Sequence, residues 1–190
     1  VLPEYYPGHF EVRDFTPGAK LILPPRLHVG GDFALMHCRT VLPTEKLFVG
    51  AAMDIHGSDI LVELPADTKI RGYLKILGSV VESLPERIEI GTHLYLGRVA
   101  LLSALPPSLG TINGDVELAE LPNLRKLPSS FIVNGTLVVR MCDSLEVPEH
   151  LHVHGDLMTW DVKWLFDSPA RDLFVDEALT IRGGRISANP

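Results

Sequence analysis

Three imidazoles at alternate positions, His150-Leu-His152-Val-His154, form the densest run of metal-capable side chains in the chain. If Leu151 and Val153 point inward, the three share one strand face, and His28 holds the same place in its own segment as His152. A zinc centre draws three or four ligands to about 2.0–2.3 Å from one ion, whereas alternate residues of a strand stand about 6.5–7 Å apart. Convergence of all three is therefore difficult. They are read as exposed polar residues beside a turn, and no metal or cofactor is expected. Asp32, Asp115 and Asp156 each follow a glycine. A row of carboxylates can hold calcium or cleave polysaccharide, but these recur only in some segments and always in a turn, where a short carboxylate hydrogen-bonds nearby backbone N–H groups. There is no GxSxG elbow and no glycine-rich phosphate loop. The chain is expected not to be an enzyme.

The elements that carry these residues repeat. Each segment has an anchor proline, two apolar residues at alternate positions, a small-residue turn and a second alternate apolar pair, as in Pro24…Leu27-His-Val29-Gly-Gly-Asp-Phe33-Ala-Leu35. The anchors are Pro24, Pro43, Pro65, Pro85, Pro106, Pro128, Pro148 and Pro169, spaced by 19, 22, 20, 21, 22, 20 and 21 residues. Period two within a segment predicts strands with one buried face. A fixed period of this size predicts a solenoid whose copies stack in parallel, like over like. Gly30-Gly31-Asp32, Asn113-Gly114-Asp115 and their equivalents predict one corner, and Leu-Pro pairs such as Leu84-Pro85 a second. No window carries a capped helical pattern, so little helix is expected. Stacking aligns Asp54 with Lys75 and Lys69 with Glu89 as opposite charges on adjacent rungs. Cys38 and Cys142 fall at one repeat position five repeats apart, on the order of 24 Å at ~4.8 Å per layer, beyond the ~7 Å limit for a disulfide. They are read as free inward thiols, which favour a cytoplasmic setting.

The segment Phe33-Ala-Leu35-Met-His-Cys38-Arg-Thr-Val41-Leu-Pro43 resembles a short leucine-rich repeat of the form LxLxxCxxLxLP, and Val139-Arg-Met-Cys142-Asp-Ser-Leu145-Glu-Val-Pro148 is a second copy. The added LxVxGD segment is similar to the LPxxLxVxGDLxL repeats of bacterial and phage proteins, mostly of unassigned function and some of them host-directed. The interior asparagine ladder of leucine-rich repeats is missing: the matching positions read Cys38, Ser58, Ser79, Val99, Leu121 and Cys142. With two strands per repeat, the expected fold is an all-β, right-handed parallel β-solenoid of ~21-residue coils, the alternative being a leucine-rich-repeat-like horseshoe. Residues 1–18 are expected as an N-terminal cap or lead-in, 19–186 as eight coils, and 187–190 as a tail.

A net charge of −7 argues against nucleic acid and anionic membrane. Apolar runs fall short of the roughly 20 residues of a membrane span. The expected role is a non-enzymatic scaffold binding a protein partner through its exposed sheet face, with a bacterial host-directed protein as the context the resemblance implies. A polysaccharide-active β-helix enzyme or a self-associating structural protein are the alternatives. The outward columns offer Phe48, Lys75, Tyr95, Ile132, Val138, Met158 and Phe174 as contact residues, and the stretch with both tryptophans adds Trp160 and Trp164. The chain opens at Val1 and stops almost on a coil at Ile181-Arg-Gly-Gly-Arg-Ile186. The expectation is a piece of a longer protein, or a last coil that stacks end to end on another copy.

Overall fold

Alternation sets the strands. In Arg26–Val29 and Phe33–Met36, Leu27, Val29, Phe33 and Leu35 are buried while the residues between them are more exposed. The computed structural model describes residues 2–14, 21–37, 40–57, 62–160 and 172–182. It pairs these strands in parallel with their copies one repeat later, with one break on the second side between Glu89–Ile90 and Thr111–Ile112, giving an all-β parallel solenoid.

One side of each coil belongs to a nine-stranded sheet. Its strands are Phe10–Arg13, Phe33–Met36, Met53–His56, Leu74–Leu77, Leu94–Gly97, Val116–Ala119, Leu137–Arg140, Leu157–Trp160 and Leu179–Arg182. The outward column of this long sheet runs Ala34, Asp54, Lys75, Tyr95, Glu117, Val138, Met158, Thr180, the register the repeat predicts. Residues ahead of the first full coil contribute too: Tyr5–Tyr6 and Phe10–Arg13 pair with the strands 23 positions later. The charge pairs form, Lys69 Nζ to Glu89 Oε1 at 2.6 Å and Lys75 Nζ to Asp54 Oδ2 at 3.7 Å. Exposed rungs of this kind stabilise by a few tenths of a kcal/mol.

A second side carries two sheets rather than one continuous column. Tyr5–Tyr6, Arg26–Val29, Lys46–Val49, Lys69–Ile70 and Glu89–Ile90 form the first; Thr111–Ile112, Ser130–Val133, His150–Val153 and Asp172–Val175 form the second. The break coincides with a 3-10 turn over Pro107–Leu109, which brings the chain to Thr111–Ile112. Asn113 spans the gap by donating from its side chain to the Gly91 carbonyl at 3.1 Å. On the other side of Gly91 the preceding coil approaches closely: a Cβ there would lie 1.8 Å from the Arg71 carbonyl oxygen.

Between these two sides the step is invariant. From Tyr6 to Phe10, Val29 to Phe33, Val49 to Met53 and on to Val175 to Leu179, four positions always separate the last inward residue of one strand from the first of the next. The turn is held from coil to coil by its acidic residues. Asp32, Asp115 and Asp156 each accept, through Oδ1, the backbone N–H of Ala52, Thr136 and Ala178, which occupy the same position one coil later (2.9, 2.9 and 3.0 Å). His9 and His93 do the same for the N–H groups of Asp32 and Asp115 through Nδ1.

The third side absorbs the variation in coil length. Its inward residues include Leu23, Leu84, Leu105 and Leu127, ahead of the prolines. Each corner closes where the carbonyl of Pro65, Pro85 or Pro106 accepts the N–H three residues on. The corner after the long sheet is left-handed in every coil described there: Asp14, His37, Gly57, Gly78, Arg98, Glu120 and Met141 have φ between 46° and 62°. Their N–H groups continue the ladder, each donating to a carbonyl of the next coil, as Arg98 does to Ala119 at 3.0 Å. The residue that follows turns back into the core, and Ser79, Val99, Leu121 and Cys142 are all buried.

Candidate functional site

The long sheet presents a groove. Its volume is about 500 Å³, and it lies across the strands Leu74–Leu77, Leu94–Gly97, Val116–Ala119 and Leu137–Arg140. The floor exists because Gly97 and Ala119 fall in an outward column that otherwise carries Leu77, Arg140 and Trp160. Two small residues between larger ones leave a depression. Tyr73 and Tyr95 form an aromatic wall, with ring centroids 6.0 Å apart and edge to face, and His93 stacks on Tyr95 at 5.8 Å. Lys75, Arg98, Glu117, Glu120 and Arg140 supply charge of both signs, Arg140 pairing with Glu117 and Lys75 reaching Asp54. Burial pushes the Tyr95 hydroxyl above its ordinary pKa, and the carboxylates of Asp115 and Glu117 add to the shift. The phenol is therefore a neutral hydrogen-bonding group at physiological pH.

The contact residues expected from the sequence divide between sheets. Lys75, Tyr95, Val138, Met158 and Trp160 lie on the long sheet, where Val138 and Met158 are direct neighbours and Glu117 separates Tyr95 from Val138. Phe48, Ile132 and Phe174 lie on the second side, Phe48 in a different sheet from the other two. Phe48 is partly covered, by the His28 ring at 4.4 Å and the Arg71 guanidinium 5.4 Å above its centre. Phe174 is the most open of the set, 58% exposed. Trp164 and Cys38 lie outside the described residues. Cys142 is fully buried, and burial pushes its thiol up to about 11. Tyr73 and Gly97 were not among the expected residues. Small residues at outward positions 97 and 119 were the readable signal.

The histidines do not act as a set of three. His150 Nδ1 pairs with Asp172 Oδ2 at 2.7 Å. His152 and His154 instead converge on Asp176, from the coil that follows: Nε2 of His152 lies 3.0 Å from Oδ1, and Nδ1 of His154 lies 2.6 Å from Oδ2. The two rings are 4.0 Å apart, and Phe174 stands 5.7 Å from His152 on the other side. Hydrogen bonds from His152 and His154 hold the Asp176 carboxyl below the usual carboxylate range. Asp176 sits directly beneath His154 in the column that follows the strand, so reading that column down the repeats was the signal for it.

Comparison with known proteins gives no matching family model, no matching curated protein and no matching solved structure. No helix among the described residues is long and apolar enough to cross a membrane.

Proposed function

We propose that the protein is a non-enzymatic repeat scaffold that holds another protein on the outer face of its long sheet, with the groove around Tyr95 at the centre of contact. The observation that carries this reading is the groove itself: two tyrosines beside a floor of Gly97 and Ala119, rimmed by charges of both signs. Tyrosine and arginine are the residue types that anchor protein interfaces, and a partly desolvated aromatic pocket ringed by polar groups is the arrangement hot spots adopt. Alternating charge on the rim suits a partner segment with mixed polarity better than a polyanion.

Site-specific photocrosslinking tests it, with benzoylphenylalanine placed at Lys75 on the groove rim and, separately, at Ile132 on the second side. The expected result is a discrete partner protein crosslinked from position 75 and absent from position 132. Gly97→Leu fills the floor; its first side-chain carbon lies 2.8 Å from the movable end of Leu77 and 3.8 Å from the Ala119 carbonyl oxygen, so the fold is kept and the crosslink is lost. Equal labelling from both positions, a crosslink that survives Gly97→Leu with an unchanged melting profile, or release of reducing ends from polysaccharide each overturns the reading.

A further inference from the structure

Where two imidazoles and a carboxylate meet, the surrounding groups decide whether the cluster is a hydrogen-bonded ornament or a ligand set. One ring nitrogen each from His152 and His154 and one carboxylate oxygen of Asp176 lie within 4.8 Å of one another. Around a tetrahedral zinc-like ion with bonds of ~2.0–2.1 Å, ligand atoms stand about 3.3 Å apart. The observed His–Asp separations, 3.0 Å to Oδ1 and 2.6 Å to Oδ2, both fall short of that value, so the donors must part by a few tenths of an ångström. The rings must also open from 4.0 Å to about 5 Å between centres. All three residues are at the surface, 35–49% exposed at the side chain.

Two imidazole nitrogens and one carboxylate oxygen make a donor set that suits zinc-class transition metals rather than calcium or magnesium. The other histidine–carboxylate contacts among the described residues, His9–Asp32, His93–Asp115 and His150–Asp172, bring one imidazole to one carboxylate. The His37–His56 pair, 5.7 Å apart, has no carboxylate contact among the described residues. Phe174 backs the His152 ring and limits its swing. The ligands come from two consecutive coils, so an ion bound there ties the His150–Val153 strand to Asp172–Val175.

We propose that His152, His154 and Asp176 bind one divalent transition-metal ion of the zinc class, with water completing its coordination. The test uses untagged protein stripped with chelator and titrated with Co²⁺, followed by competition with Zn²⁺. The expected result is one equivalent of Co²⁺ giving visible d–d bands, displaced by Zn²⁺, with a Zn²⁺-dependent rise in melting temperature. His154→Gln and Asp176→Asn each weaken binding at least about tenfold, while His150→Gln leaves it unchanged. Circular dichroism of the apo variants confirms that these surface changes leave the fold intact. Absence of stoichiometric d–d bands overturns the proposal, as does binding that survives Asp176→Asn. Loss in His150→Gln with retention in Asp176→Asn equally overturns it, by returning the ion to the three histidines of one strand.

Discussion

At the scale of single residues, Cys142 shows how burial controls reactivity. Its Sγ sits 3.4 Å from the Arg140 carbonyl and 3.6 Å from that of Leu118, with no solvent exposure. An unfolded thiol ionises near pH 8.5, but the folded one holds its proton to about 11. Between those limits the unfolded chain has released a proton that the folded chain keeps. Stability from this group is complete below about pH 8.5 and falls as pH rises toward 11, by roughly 3 kcal/mol in all. In a Cys38→Ser background, the thiol should resist a disulfide reagent at pH 8 until denaturant is added. Cys142→Val, which places in this column the residue that position 99 already carries, should flatten the alkaline limb of the unfolding free energy measured against pH. The buried thiol was legible from its column alone. The histidine cluster was only half legible, because spacing along one strand says nothing about a ligand delivered by the next coil.

At the scale of the coil, the left-handed corner is a conformational demand that composition hides. Five of its seven occupants, Asp14, His37, Arg98, Glu120 and Met141, are not glycine and share no chemistry, so nothing in the sequence marks the position. L-residues bear about 1–2 kcal/mol there. Glu120→Gly should therefore be stabilising or neutral, the relief offset by roughly 0.5–1 kcal/mol of glycine chain entropy. Gly78→Ala should cost about 1 kcal/mol, although its new carbon meets nothing closer than 4.0 Å. Chemical denaturation of both variants checks the pair; a Gly78→Ala variant as stable as wild type would remove the conformational argument. By contrast, the strands and their register were readable throughout the long sheet, since a slip of one residue would turn Lys75 and Glu117 into the core. The interruption between Glu89–Ile90 and Thr111–Ile112 was not, because it coincides with a short 3-10 turn that the repeat pattern does not mark.

At the scale of the whole molecule, each coil touches only its neighbours, so stability is a chain of local interfaces rather than one cooperative centre. Leu96 is buried mid-stack between Ile76 and Leu118. Leu96→Ala should cost about 2–5 kcal/mol. Its loss of amide hydrogen-exchange protection should be concentrated in the coils from Leu74 to Ala119, with the strands at Phe33–Met36 and Leu157–Trp160 much less affected. Uniform loss of protection would mean that the stack unfolds as a single unit. The column of leucines that makes this prediction possible was plain in the sequence. The groove above it was not, because a concavity is set by what Gly97 and Ala119 lack.

The invariant four-residue step between the two strands of every coil works as a ruler, and the third side works as slack. A splice of extra residues at the exposed pair Ala100–Leu101 would add a surface loop while both flanking ladders stay in step. One residue added between Ile90 and Leu94 would invert the Leu94–Gly97 rung, driving Tyr95 inward and Leu96 into water. The molecule thus separates a part that must be copied faithfully from a part free to vary, and new loops can be grafted along one edge without redesigning the column they decorate.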